Sequence, residues 1–344
     1  MTVPCVRVRP DAGEPTRQAL AARGLLDDAY DITVADGWLY APVADPDAVP
    51  EKYEVVDFDA PRRETQTLPA DILGFEPSVE RLGRIAILDE DSADRARRIA
   101  DAVMASDLPV DTVVNRASKV QGDYRVRDWN VLAGDDTETV HTEYGTDFRL
   151  DIAAVYFSPR LATERHRVVE QVAADERVFD MFAGVGPFVV PMAKRGAECV
   201  GCDLNPAAVE YLRENARENG VADRVTAIEG DVRDVVSGAS DAPAPDGVRE
   251  VAADYEGWAD RVLMNLPHSA DAFLDTAVSL ACDTCVLHYY DIQPEDDPFG
   301  PGERAIRRAA GDAYDVTVET ERVVRSYAPH ELNVCLDVRL TRAA

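Results

Sequence analysis

Residues 178–212 read VFDMFAGVGPFVVPMAKRGAECVGCDLNPAAVEYL. The short apolar run Val178-Phe179 ends at Asp180 and gives way to Ala183-Gly184-Val185-Gly186-Pro187. Phe188 to Arg195 is compatible with a helix, and a second apolar run, Glu198 to Cys202, stops at Asp203. Strand, glycine-rich turn, helix, strand and acid, in that order, form the opening half of a nucleotide-binding α/β unit. Glycines at 184 and 186 let backbone approach a ligand closely, because no Cβ intervenes. An acid at the tip of the second strand can accept both hydroxyls of a ribose.

Two ligands suit such a unit. A dinucleotide site favours G-x-G-x-x-G, whose third glycine admits close helix–strand packing. That third position is Val189 here, and Pro187 stiffens the turn, which weakens the dinucleotide reading. S-adenosylmethionine has no phosphate to cradle and needs only the close turn and the ribose acid. A second acid, Asp231, follows the apolar stretch Val225 to Ile228, where it can accept from an adenine amino group. The bland alternative is an ordinary strand–helix–strand turn with surface acids.

Working outward, apolar runs near 177, 198, 225, 261, 285, 315 and 333 predict seven strands, separated by helices until the last two. That order fits the sheet of an S-adenosylmethionine-dependent methyltransferase, closed by an antiparallel hairpin. The fourth run ends in Asn265-Leu266-Pro267-His268, at the strand end where such sheets bind ligands. An Asn amide both donates and accepts, and the Leu-Pro turn fixes where its carbonyls point, an arrangement suited to a planar N–C–O edge. Ser237 to Gly257 is rich in Asp, Ala, Pro and Gly and reads as a surface insertion or mobile loop. PEDDPFGPGER reads as loop, with a helix beginning near Ala305.

Two smaller α+β domains are expected before this α/β, Rossmann-like class I domain at 151–344. In 1–62, CVRVRP is a strand, Pro15 to Leu25 a helix, and DITVADGWLYAPV two strands joined at Asp36-Gly37. A polar linker spans 63–69. In 70–150, RIAILDED and TVVNRASKV are strands around the helix Ala93 to Met104, and YRVRDWNVLAG, ETVHTEYG and TDFRLDIAAVYF read as an antiparallel run. Arg116, Lys119, Arg125 and Arg127 make a basic cluster there, either functional or a solvated strand face.

The net charge of −29 argues against a nucleic-acid partner until its construction is considered. Lys52, Lys119 and Lys194 are the only lysines among 36 basic residues. Excess acid with almost no lysine resembles proteins of high-salt, halophilic cytoplasm, where counterion release contributes little to RNA affinity. Arginine forks still bind phosphate and base edges bidentately. No apolar run reaches bilayer length and the N-terminus lacks a secretory signal, so a soluble cytoplasmic protein without membrane contact is expected. Cys199-x-x-Cys202 and Cys282-x-x-Cys285 have zinc-like spacing but lie in apolar runs, where burial as small hydrophobes is the expectation and no metal is assigned.

Ala154 to Arg165, AVYFSPRLATER, concentrates aromatics, a proline turn, two arginines and Glu164 just before the nucleotide unit. Tyr156 and Phe157 can stack on a base or serve as core aromatics. YFSPRLATER, DMFAGVGPF, DLNP, NLPH and SYAPHE together resemble the archaeal/eukaryotic-type tRNA (guanosine-37 N1)-methyltransferases, across essentially the whole chain. The resemblance implies transfer of a methyl group from S-adenosylmethionine to N1 of guanosine 37. It implies tRNA as partner, with the middle domain contacting it and the first domain reading its elbow, and a monomer with no obligate protein partner. Glu164 is then the general base, Arg125 (Arg127 as alternate) holds O6, and Asn265, Pro267 and Tyr156 form the guanine pocket. Phe182, Ala183, Gly184, Val185 and Gly186 wall the methionine moiety. Asp203 with Leu204, and Asp231 with Val232, take ribose and adenine, and Asn265 also faces the cofactor. A sister family moves the aminocarboxypropyl group of the same cofactor onto wyosine-type tRNA bases; SPRLATER favours methyl transfer. An RNA-binding scaffold and a dinucleotide oxidoreductase remain as further alternatives.

Overall fold

The computed structural model describes residues 2–63, 66–237 and 255–344, in two compact units, Met1–Thr67 and Leu68–Ala344. Most of the segment expected to be an insertion (238–254), and part of the linker (64–65), lie outside the described residues.

In the first unit, β1 (Val3–Val8), α1 (Gly13–Ala21), β2 (Thr33–Ala35), β3 (Trp38–Pro42) and β4 (Glu54–Phe58) form a sheet of order β2-β3-β1-β4. The β2–β3 turn is the Asp36-Gly37 pair, with φ of 49° and 78°, the backbone a two-residue hairpin needs. The helix ends at Ala21 rather than continuing to Leu25.

The second unit begins with α2 (Pro69–Leu73), β5 (Glu80–Leu82), β6 (Ile85–Leu88), α3 (Ala93–Ala105), β7 (Thr112–Arg116) and β8 (Trp129–Ala133). β9 (Glu138–Glu143) and β10 (Thr146–Asp151) make a separate hairpin. The run YRVR is not strand as expected: Arg125 sits at φ 54° in a turn closed by Gln121 N–H to Val126 O, so the chain loops out. α4 (Ala162–Val169), β11 (Arg177–Asp180), α5 (Val189–Lys194), β12 (Glu198–Asp203), α6 (Pro206–Glu218), β13 (Val225–Glu229) and α7 (Val232–Val236) follow. Then come β14 (Ala259–Met264), α8 (Leu274–Leu280), β15 (Ala281–Pro294), α9 (Gly300–Ala310), β16 (Tyr314–Ala328) and β17 (Glu331–Arg342). α9 starts five residues before the expected Ala305, because Pro301 suits a first helical turn, where no N–H is needed.

Seven strands form one sheet of order β13-β12-β11-β14-β15-β17-β16, in which β17 alone runs antiparallel to the others. Alternation sends Val178 and Cys199 into one apolar layer, with α5 and α6, and Phe179 and Val200 into the other, with α8 and α9. The first layer also takes Leu82, Ile87, Val114 and Phe148 from β5–β10, which is why residues 70–150 and 151–344 share one compact unit. No helix among the described residues is long and apolar enough to cross a membrane.

Candidate active site

β11 and β14 lie side by side, while the chain runs from β11 outward through β12 and β13 and only then returns to β14. The crevice beyond their carboxyl ends is the topological switch point, where open α/β sheets bind ligands. Asp180 pairs in register with Leu263, so Phe182 and Asn265 stand at matching positions beyond the two strands.

The two turn glycines serve different ends. Gly184 (φ 53°) faces open space where a Cβ would stand, whereas a Cβ on Gly186 (φ 86°) would lie 2.4 Å from Leu212 Cδ1. Asp203 accepts from Gly184 N–H at 2.7 Å and from Asn205 N–H at 2.9 Å, tying the glycine turn to the second strand end. Burial raises its pKa against those two bonds. Asp180, 1 % exposed, is pushed up to about 7 by burial, opposed by the Phe182 N–H and reinforced by Asp203. Asp231 caps α7 and pairs with Arg233 at 2.5 Å, a partner that holds its carboxyl below the usual range. Arg233 in turn lies over Phe273, whose ring meets Phe182 edge-on at 5.0 Å. Leu204 is 44 % exposed beside Asp203, while the side chains of Ala183, Val185 and Val232 are buried, which leaves only their backbone for a ligand. A glycine turn with free space, a buried acid, a second acid and an exposed leucine fit the ribose, adenine and methionine parts of S-adenosylmethionine.

On the other side of the crevice, Pro267 O accepts from Ile292 N–H at 3.1 Å, which fixes the Asn265–His268 turn against β15. His268 Nε2 lies 2.9 Å from Tyr327 Oη, with the rings edge-to-face. Burial, and then the charge of Arg125, lower the His268 pKa. The Arg125 guanidinium lies 5.5 Å over the Tyr156 ring. The segment carrying Tyr156 is tied to the start of α6, because Asn205 Nδ2 donates to Ala154 O at 2.9 Å while its Oδ1 caps that helix. Arg127 lies over Trp129 instead.

Glu164 is buried, not open to the crevice. Arg167 donates to both of its oxygens at 3.0 and 2.7 Å, and Tyr290 Oη donates at 3.1 Å. Arg322 Nε is 2.8 Å from Oε2 as an ion pair, though its N–H is not aligned for a hydrogen bond. The network continues inward from Arg167 to Asp337 and His288. Burial opposes ionisation of Asp337, but His288 and Arg167 outweigh it and hold its carboxyl well below the usual range. Burial keeps His288 neutral, so Nδ1–H donates to Asp337 and Nε2 accepts from Arg261. With both ring nitrogens used, the His288–Cys335–Asp337 group is a structural cluster, not a metal site.

The two cysteine pairs do not converge. β12 and β15 are three strand spacings apart, roughly 14 Å. Cys199, Cys202 and Cys285 are buried within the sheet. The residues to which the sequence reading gave no individual role are Asn205 and Tyr327, within the quoted DLNP and SYAPHE motifs, and Arg167, Tyr290 and Arg325. Asn205-Pro206 carried a legible helix-cap signal, and Arg167 stands i,i+3 from Glu164 on one helix; the others act through long-range contacts that leave no local mark.

Residues 139–319 match the TRM5/TYW2 methyltransferase domain, 65–137 the TYW2 N-terminal domain, and 5–51 the tRNA methyltransferase 5 N-terminal domain. The tRNA (guanine(37)-N(1))-methyltransferase Trm5b of Pyrococcus abyssi is 38% identical, over 98% of each chain. The chain belongs to the TRM5/TYW2 methyltransferase family. A tRNA(Phe) (4-demethylwyosine(37)-C(7)) aminocarboxypropyltransferase of Pyrococcus horikoshii is 35% identical, over 72% of this chain and 82% of that relative. Among solved structures, the complex of aTrm5 with tRNALeu aligns with a TM-score of 0.70 and 29% identity, covering 98% of this chain and 99% of that one. The TRM5/TYW2 fold and its S-adenosylmethionine dependence thus meet the site geometry above.

Proposed function

We propose that this TRM5/TYW2 enzyme transfers the methyl group of S-adenosylmethionine to N1 of guanosine 37 in tRNA. The observation that carries the reading is Arg125 over the Tyr156 ring, in a segment tied through Asn205 to Asp203 and the Gly184 turn, with the Asn265–Pro267 turn at the end of the neighbouring strand β14. The match at 5–51 and the full-length similarity to Trm5b favour methyl transfer over aminocarboxypropyl transfer.

The cofactor, when bound, supplies an electrophilic methyl group. Guanine N1 carries a proton in the neutral base, so its attack requires that proton to leave and charge on O6 to be met. Arg125 donates to O6, and the Asn265 amide with the Pro267 turn aligns the N1–C6–O6 edge. Tyr156 stacks along the base. Glu164 accepts the N1 proton; for this one donor must release a carboxylate oxygen, and Arg322, which makes no aligned hydrogen bond to it, is the weakest held. Phe182 to Gly186 wall the methionine moiety, while Asp203 with Leu204, and Asp231 with Val232, take ribose and adenine.

In the same reading, residues 1–62 form a domain for the tRNA elbow and 70–150 a second RNA-contacting domain ahead of the methyltransferase domain at 151–344. The enzyme works as a monomer in a high-salt cytoplasm. The test is incubation of the purified protein in high-KCl buffer with unmodified tRNA transcript and S-adenosylmethionine, followed by nucleoside mass spectrometry. N1-methylguanosine at position 37 is expected. Aminocarboxypropyl mass on a wyosine-type precursor, with plain guanosine untouched, would move the chain to the sister activity.

A further inference from the structure

Next to the proposed guanine site lies a cleft of about 120 Å³ lined by Arg116, Arg125, Arg127, Arg160 and Arg325 against a single carboxylate, Glu80. Arg116 Nη2 and Arg160 Nη2 both donate to the same Glu80 oxygen, each at 2.7 Å. Arg116 also reaches Asp89 at 2.7 Å. Arg125, Arg127 and Arg325 have no carboxylate within ion-pair distance among the described residues. The Nε atoms of Arg325 and Arg116 are buried without a hydrogen-bond partner among the described residues. A buried guanidinium N–H left unmade is costly, so these nitrogens are open to an acceptor from outside the described side chains, water or a ligand. In a chain of net charge −29, a concentration of cations without counter-charge is the more telling.

The backbone has been bent to build it. Arg322 and Arg325 are three apart on β16, a spacing that puts side chains on opposite faces of a regular strand. A register shift between Val323 and Arg325 cancels this: Arg322 pairs with Cys335 and Arg325 with Asn333, two residues apart and hence on one face. The bulge therefore lets one strand place Arg322 against Glu164 and Arg325 in the arginine cleft. Arg127, braced over Trp129, faces the same cleft; burial and then Arg116 lower its pKa, as expected for a guanidinium awaiting an anion.

We propose that Arg325 and Arg127 form a phosphate subsite that grips one of the two phosphodiesters flanking the target nucleotide, an inference that rests on the tRNA reading above. The acceptor is an RNA phosphate because guanidinium forks match its oxygens bidentately and the cleft shares Tyr156 and Arg125 with the guanine site. Arg116 and Arg160, locked on Glu80, form its rear wall and keep the two free arginines from collapsing onto a carboxylate. Holding the backbone there would keep the target base out of the anticodon-loop stack while the chemistry proceeds.

The test uses the full-length protein and tRNA assembled with a single neutral methylphosphonate linkage, placed on the 5′ or the 3′ side of the target guanosine. For the unaltered enzyme, one of the two linkages is expected to raise KM for tRNA by about tenfold, the scale of one charge-assisted contact. Arg325→Gln should raise KM on ordinary tRNA to a similar degree, show no further loss with that linkage, and flatten the slope of log KM against log [KCl] by about one. Arg325→Lys should recover part of the affinity, which a merely misfolded variant would not. Additive losses from variant and linkage, or an unchanged salt slope, would overturn the subsite. A loss of S-adenosylmethionine affinity in Arg325→Gln would assign the cleft to the cofactor carboxylate and also overturn it. Absence of any transfer by the unaltered enzyme to ordinary tRNA would instead defeat the functional reading, and the subsite with it.

Discussion

Gly184 and Gly186 look equivalent in the sequence and are not. A methyl group on Gly186 would meet Leu212 at 2.4 Å, at φ 86°, whereas one on Gly184 would meet nothing within 4 Å. Gly186→Ala is therefore expected to destabilise the fold by about 1–3 kcal/mol through overpacking and strain, read as a lower denaturant midpoint. Gly184→Ala, strained at φ 53° but free of any clash, should lower the midpoint less than Gly186→Ala and weaken S-adenosylmethionine binding, measured by calorimetry. The opposite pairing of effects would contradict the assignment of Gly184 to the ligand. Glu164→Gln keeps the size of the buried side chain and removes its basicity. Turnover should fall by roughly 100-fold or more while cofactor affinity holds; an equal loss of cofactor affinity would remove Glu164 from the role of base. Arg125 is held at φ 54°, a conformation uncommon for a non-glycine residue, and the strain is consistent with its guanidinium being aimed at a ligand.

The glycine turn and the first two strand ends together create a pH dependence. Asp180 ends β11 buried under the turn with its pKa near 7, while in the unfolded chain it would titrate near 3.8. Between those values the folded protein holds a proton that the unfolded chain has lost, so stability from this group falls as pH rises from about 4 to 7 and is level above. Asp180→Asn can still accept from Phe182 N–H and has no proton to lose. The stability of the parent relative to this variant should decline across that window in urea titrations at successive pH values; parallel profiles would rule out the buried acid as their source. The α4–β15–β17 network behaves differently, because each of its charges is paired. Asp337 is held ionised by His288 and Arg167 and adds no slope near neutrality, whereas His288, whose pKa burial lowers in the fold, adds stability as pH rises toward its ordinary value of 6.5, opposite in sign to Asp180.

The charge of the entire chain sets its response to salt. With 65 acids against 36 basic residues, self-repulsion opposes compaction, and its range shrinks from about 10 Å at 0.1 M to about 3 Å at 1 M salt. The thermal midpoint is expected to rise as KCl increases from 0.1 to 2 M, at the moderate end chiefly through this screening. A midpoint that is flat or falling would argue against adaptation to a high-salt interior. The arginine cleft is the local exception to this acidity, which is why its salt slope reports on a specific contact and not on the global field.

The sequence by itself determined the seven-stranded α/β unit, its glycine turn, the acids at 203 and 231 and the Asn265–His268 turn. These features are written in local periodicity and turn chemistry, and the TRM5/TYW2 match agrees with them. It also marked Glu164, Tyr156 and Arg125 by resemblance, without saying what surrounds them. Only the tertiary structure decided that YRVR is a loop carrying a strained Arg125, that Glu164 is buried under Arg167, Arg322 and Tyr290, and that Arg325 shares a cleft with Arg127. The reason is physical. A strand or helix is favoured by residues near one another in the chain, but a charge finds its partner wherever packing brings one. Glu164 and Tyr290 are 126 residues apart and 3.1 Å away from each other.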